Sequence, residues 1–100
     1  MSFETRKSDT HEERYYHIQT DSTESRLRGV TIFARKVGDR WLATGAFCHR
    51  DDVFSRKIGR TKARRRWFNA PQHRIPLHVG QDMTYELALT LAKLAEKVWA

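Results

Sequence analysis

The chain has a single cysteine, Cys48, which excludes an internal disulfide and fits a reducing compartment. No stretch approaches the roughly 18 consecutive apolar residues of a membrane span. Met1 to Arg14 is polar and lacks the hydrophobic core of a signal peptide. These absences lead to the expectation of a cytosolic protein that does not enter a membrane. The chain also has no C-x-x-C or H-E-x-x-H pair, no Walker-type loop and no G-x-G-x-x-G. Cys48, His49, Asp51 and Asp52 are the one local group of metal-ligand types, and a strand-ending Cys beside a helix-capping Asp pair accounts for all four. His73 and His78 lie five apart in a loop, which is no helical ligand pair, and Cys48 has no placed base. No catalytic residue, metal ligand set or cofactor is expected, and the protein is read as acting without chemistry.

The most informative absence is acid. Between Val53 and Gln81 there is no Asp or Glu, yet there are eight Lys or Arg, seven of them between Arg56 and Arg66. The other 71 residues hold 11 basic and 12 acidic side chains, so this segment supplies the whole net charge of +7. Like charges a turn apart destabilise a helix, so such a run usually persists because a polyanion neutralises it. Nucleic acid is the leading candidate, and the competing reading is a solvated face that only keeps the protein soluble.

One hundred residues suit a single domain with one modest core. Met1 to Glu13 is dense in Ser, Thr and charge and reads as a flexible arm, leaving 14–100 as the domain. Arg14 to Thr20 suits a first strand, and Asp21 to Arg26 a loop. The clearest signal is a hairpin over Gly29 to His49, turning at Gly38-Asp39. Its register pairs Val37 with Arg40, Lys36 with Trp41, Ala34 with Ala43, Ile32 with Gly45 and Val30 with Phe47. Val30, Ile32, Ala34, Trp41, Ala43 and Phe47 then share a core face. Phe33 and Leu42 leave the other face half apolar, which hints at a homodimer or a partner surface.

Asp51 and Asp52 are placed to cap a helix that begins near Val53. Phe54, Ile58, Thr61 and Phe68 fall within an arc of about 80°, which is expected to lie on the sheet. Arg56, Arg60 and Arg64 form a stripe at i, i+4 and i+8 with Lys57 beside it. Gly59 and Ala63 make a small-residue patch next to it, where a backbone or phosphate can approach closely. Arg65 falls on the apolar arc, so either its stem snorkels outward or the helix ends by about Arg64. Both prolines lie in Asn69 to Gly80, read as an ordered loop with a short extended piece around Ile75 to Val79. A last helix, capped by Asp82, carries an apolar stripe of Met83, Leu87, Leu91, Leu94 and Val98. The expected fold is α+β: a three-stranded antiparallel β-meander followed by two α-helices packed on one face.

The candidate nucleic-acid-binding residues are Arg56, Lys57, Arg60, Lys62, Arg64, Arg66 and Trp67. The cations would neutralise phosphates and release counterions, and Trp67 or Asn69 would stack on or hydrogen-bond to bases. Core packing with Phe68 is the other reading of Trp67.

The stretch Ala46-Phe47-Cys48-His49-Arg50-Asp51-Asp52-Val53-Phe54-Ser55-Arg56-Lys57-Ile58-Gly59-Arg60, a strand ending in Cys followed by D-x-F-S-R-K-x-G-R, resembles small, largely uncharacterised proteins of phages, prophages and mobile elements. The resemblance covers roughly residues 30–66 and implies a phage-like accessory protein; it implies no activity. Those helices tend to continue with small and acidic residues where this chain has Lys62 to Arg66. A weaker resemblance, to double-stranded-RNA-binding domains, rests on strands preceding a basic helix. It lacks their leading helix and their Pro-His loop element. The alternative function is a non-enzymatic phage-type modulator that binds a host protein, with the basic stripe seated in that protein's nucleic-acid channel or on an acidic patch.

Overall fold

The computed structural model describes the backbone of residues 2–7, 12–19, 27–49 and 55–99, and the side chains of residues 12–19, 29–48 and 55–99. Among these residues five strands form one antiparallel sheet in chain order: β1 (Ser2–Lys7), β2 (Glu12–Gln19), β3 (Leu27–Val37), β4 (Arg40–His49) and β5 (Ile75–Pro76). Helix α1 (Arg56–Asn69) and a 3-10 turn (Pro71–His73) lie between β4 and β5, and α2 (Tyr85–Leu94) and the short α3 (Glu96–Trp99) follow. The fold is α+β, an antiparallel meander followed by helices packed against the sheet.

The hairpin has the expected register, with all five pairs as read from the sequence. Gly38 sits at φ 66°, the left-handed conformation that a primed two-residue turn requires. Ser2–Lys7, expected to be a flexible arm, is instead a strand paired along β2 from Ser2↔His17 to Lys7↔Glu12. Its composition promises little to a core, but edge pairing is made by backbone groups that β2 would otherwise leave open. The loop read at Asp21 to Arg26 and the cap read at Asp51 and Asp52 lie outside the described residues.

The helices take opposite faces of the sheet rather than one. On the first face Tyr15, Phe33 and Ala46 are buried with Ala63 and Trp67 of α1, and Leu42 packs at the margin. On the second face Tyr16, Val30, Ile32, Ala34, Trp41 and Ala43 are buried with Met83, Ala88, Leu91, Ala95 and Trp99. A sheet with two apolar faces must cover both, and the Phe33–Leu42 surface that hinted at a dimer is covered by α1.

Each helical layer is let in by a glycine. A Cβ at Gly59 would lie 2.0 Å from Thr31 Oγ1, and one at Gly45 would lie 2.7 Å from Trp99 Cε3. The buried line of α1 is therefore Gly59–Ala63–Trp67, while Ile58 and Phe68, expected on the sheet, are more than half exposed. The last helical segment departs from expectation in the same way. Met83 and Leu91 are buried, but Leu94 is 76% exposed and Val98 46%. The chain turns at Ala95 between α2 and α3, and Ala88, Leu91, Ala95 and Trp99 make the contact. Alanine at the contact lets a helix lie closer to the sheet than leucine does, and Trp99 then fills the notch over Gly45. Thr84, not Asp82, caps α2, accepting from Leu87 N at 3.2 Å, while Asp82 Oδ1 accepts from Met83 N and from Arg14, each at 3.0 Å.

Candidate nucleic-acid interface

Ser55 caps α1, its hydroxyl accepting from Ile58 N at 3.3 Å. The first turn holds Arg56 and Lys57 and no acid, the reverse of what the helix dipole favours. With Gly59, Ala63 and Trp67 turned to the sheet, helical spacing of about 100° per residue sends Arg60 and Arg64 to one flank, Lys62 and Arg66 to the other, and Arg65 outward. The helix runs on to Asn69 with Arg65 exposed. The difficulty that Arg65 posed came from assigning the wrong arc to the sheet.

On the first flank one buried carboxylate is shared by two guanidiniums. Glu13 on β2 is 3% exposed, and its Oε2 accepts from Arg35 Nε at 2.8 Å and Nη2 at 2.6 Å. Its Oε1 accepts from Arg64 Nη1 at 3.1 Å. Hydrogen bonding to the Tyr15 hydroxyl raises the Arg64 pKa, and Glu13 adds to the effect, so the guanidinium is held in its charged form. Arg35 lies 5.4 Å over the Trp67 ring, and Arg74 lies 4.1 Å over it. Arg74 also donates from Nε to Trp67 O at 2.9 Å. Burial and the neighbouring Arg35 lower the pKa of Arg74. Trp67 itself is 3% exposed and meets Phe33 edge-on at 5.3 Å. The stacking role expected for Trp67 is thereby corrected: the ring is buried against Phe33, Arg35 and Arg74, and its aromatic partner is Phe33, since Phe68 faces solvent.

The second flank has no carboxylate among the described residues. Lys62 and Arg65 are exposed, and neither side chain makes an ion pair or hydrogen bond with the described residues. Arg66 is half-buried and donates from Nη1 to Gly45 O at 2.8 Å and to Trp99 O. Both acceptors are neutral, and burial lowers the Arg66 pKa. Between this flank, the end of β4 and α3 lies an open pocket of about 460 Å³, reached by Lys62, Arg65, Arg66, Asn69, Phe47 and His73. Trp99 also lines it and donates from Nε1 to His73 O at 3.1 Å.

Of the residues expected to bind, Arg56, Lys57 and Lys62 are exposed, Arg60 and Arg66 are half-buried, and Arg64 is tied to Glu13. Sequence reasoning missed Glu13 and Arg35 as the partners that consume part of the basic run. It also missed Phe47, Arg65 and His73 as neighbours of Arg66. The Gly59–Ala63–Trp67 spacing was the available signal, because two small residues and one large ring a turn apart mark the side of closest approach.

Among the described residues, no group of three or more His, Cys, Asp or Glu could hold a metal ion, and no helix is long and apolar enough to cross a membrane. His17, buried at 2% exposure, hydrogen-bonds through Nδ1 to Thr31 Oγ1 at 3.0 Å beneath α1. Compared with protein-family models, with curated proteins and with solved structures, the chain matches none.

Proposed function

We propose that the protein is a small basic nucleic-acid-binding accessory protein of phage-like origin, acting in the cytoplasm and without chemistry. The observation that carries the reading is the unneutralised charge of α1. Arg56, Lys57, Lys62 and Arg65 are exposed on one helix with no ion pair among the described residues, and Arg66 adds a guanidinium held only by carbonyls. Two of these cations occupy the first helical turn, where they oppose the helix dipole and an approaching phosphate relieves both. Neutralising phosphates in this way gives affinity by counterion release. Arg64 and Arg35 stand outside the binding set because both are tied to Glu13.

A gel shift with duplex DNA, single-stranded DNA and RNA at two salt concentrations tests the reading. Binding should be strong at low salt and fall steeply as salt rises. Replacing Lys57, Lys62 and Arg65 together with Gln should flatten the slope of log K against log[salt] by about 2 to 3 units, at roughly 0.9 per phosphate contact on duplex and 0.7 on single strands. If the parent protein shifts no nucleic acid at low salt and instead co-purifies with one host protein, the modulator reading replaces this one.

A further inference from the structure

We propose that the pocket between the second flank of α1, the end of β4 and α3 receives one unpaired nucleotide of a single strand, its phosphate among Lys62, Arg65 and Arg66 and its base against Phe47. The proposal rests on the nucleic-acid reading above and assigns the form of nucleic acid that it takes.

Three features of the pocket point to such a ligand. Its charged lining is of one sign: among the described residues three cations and no carboxylate line it, which favours an anion. Arg66 is the decisive cation, since its guanidinium is taken partly out of water and, among the described residues, is bonded only to neutral oxygens. Its lining is also partly apolar, with Phe47, Ala46 and Ala70, so the ligand carries a flat apolar group beside its anion. Asn69, an amide that can both donate and accept, lines the same pocket. A phosphate, the flat face of a base and the hydrogen-bonding edge of that base are three features by which a nucleotide is held, and about 460 Å³ falls within the range of small-ligand pockets.

The state of the nucleic acid follows from shape. A duplex keeps its bases stacked and offers only their edges, so it can lie along α1 but cannot lay a base face against Phe47. An unstacked base can enter. Arg56 and Lys57, exposed in the first turn of the same helix and on the side of Arg60 and Arg64, extend the positive charge away from the pocket over a length that a strand spans and a free nucleotide does not.

Fluorescence anisotropy over a series of salt concentrations, with a ten-nucleotide single strand, the matching duplex and a free nucleoside monophosphate as competitor, tests the assignment. The single strand should bind at least fivefold tighter than the duplex, and the monophosphate should compete only weakly. Phe47→Leu keeps apolar volume but removes the ring face, and Asn69→Ala changes no charge at an exposed position. Each should weaken single-strand binding about three- to tenfold while leaving duplex affinity and the salt slope as they were. Equal affinity for duplex and single strand overturns the pocket assignment and leaves backbone binding by α1 standing, as does single-strand affinity untouched by both variants. Competition by the monophosphate at the strand's own affinity overturns the strand in favour of a free nucleotide. Absence of binding to every nucleic acid overturns both readings together.

Discussion

Along one flank of α1, Arg64 shares Glu13 with Arg35 of β3; along the other, Lys62, Arg65 and Arg66 meet no carboxylate among the described residues. Both flanks come from one run of Lys and Arg between residues 56 and 66, and nothing in the run itself distinguishes them. The difference is made by β2, some fifty residues earlier in the chain, which places a buried acid under one flank only. A charge run is thus two things at once: part of it closes a structural ion cluster over the sheet, and the remainder faces outward unbalanced.

The contrast can be broken most severely at the residue between the flanks. Trp67→Ala should cost about 3 to 5 kcal/mol, the range for removing a large buried aromatic, because Phe33, Arg35 and Arg74 all pack on its ring. Chemical denaturation would measure it, and an unchanged midpoint would contradict the placement of Trp67 in the core. Next comes Glu13→Gln, which leaves Arg35 and Arg64 facing each other without their shared counter-charge. The expected loss is about 3 kcal/mol, as for a buried pair deprived of one partner. Nucleic-acid affinity, measured well below the melting transition, should not fall, since the binding flank is the other one.

A smaller effect is expected from Gly59→Ala. The added methyl runs into Thr31, and overpacking of this kind costs about 1 to 3 kcal/mol, of which the better helix propensity of alanine returns about 1. A melting temperature above that of the parent would show that α1 is not seated as closely as described. The gentlest variants separate the flanks most cleanly. Lys62→Gln with Arg65→Gln should change stability by less than about 0.5 kcal/mol, as exposed substitutions do. It should flatten the duplex salt slope by about 1.8 units. Arg35→Gln with Arg64→Gln removes the same charge, and it should lower stability while leaving the slope within error of the parent. Equal slopes from the two pairs would mean that net charge alone governs association.

How much of this was legible in the sequence depends on whether local pattern or close approach decides. The hairpin was readable pair by pair because Gly38-Asp39 fixes the turn and the period of two does the rest. The last helical segment is readable as an apolar helix, but its cap is Thr84 rather than Asp82, and Ala95 and Trp99 rather than Leu94 and Val98 make the contact. Orientation of α1 failed for the same reason. Counting apolar bulk favours Ile58 and Phe68, whereas the sheet accepts the side of the helix that can come nearest, which Gly59 and Ala63 provide. The concentration of charge was visible at once. Its division into balanced and unbalanced halves was not, because Glu13 was assigned to an arm and its pairing is a long-range event.

The hold of Arg66 on Trp99 has a dynamic consequence. The guanidinium reaches past the edge of β4 and ties α1, on one face of the sheet, to the last turn of α3, on the other. Trp99 in turn rests in the notch over Gly45 and holds the 3-10 turn through His73 O. Residues from four separate stretches of chain therefore open and close as one cooperative unit. Hydrogen exchange at the Trp99 amide, bonded to Ala95 O at 2.8 Å, should slow whenever a ligand steadies Arg66, although that amide never touches the ligand.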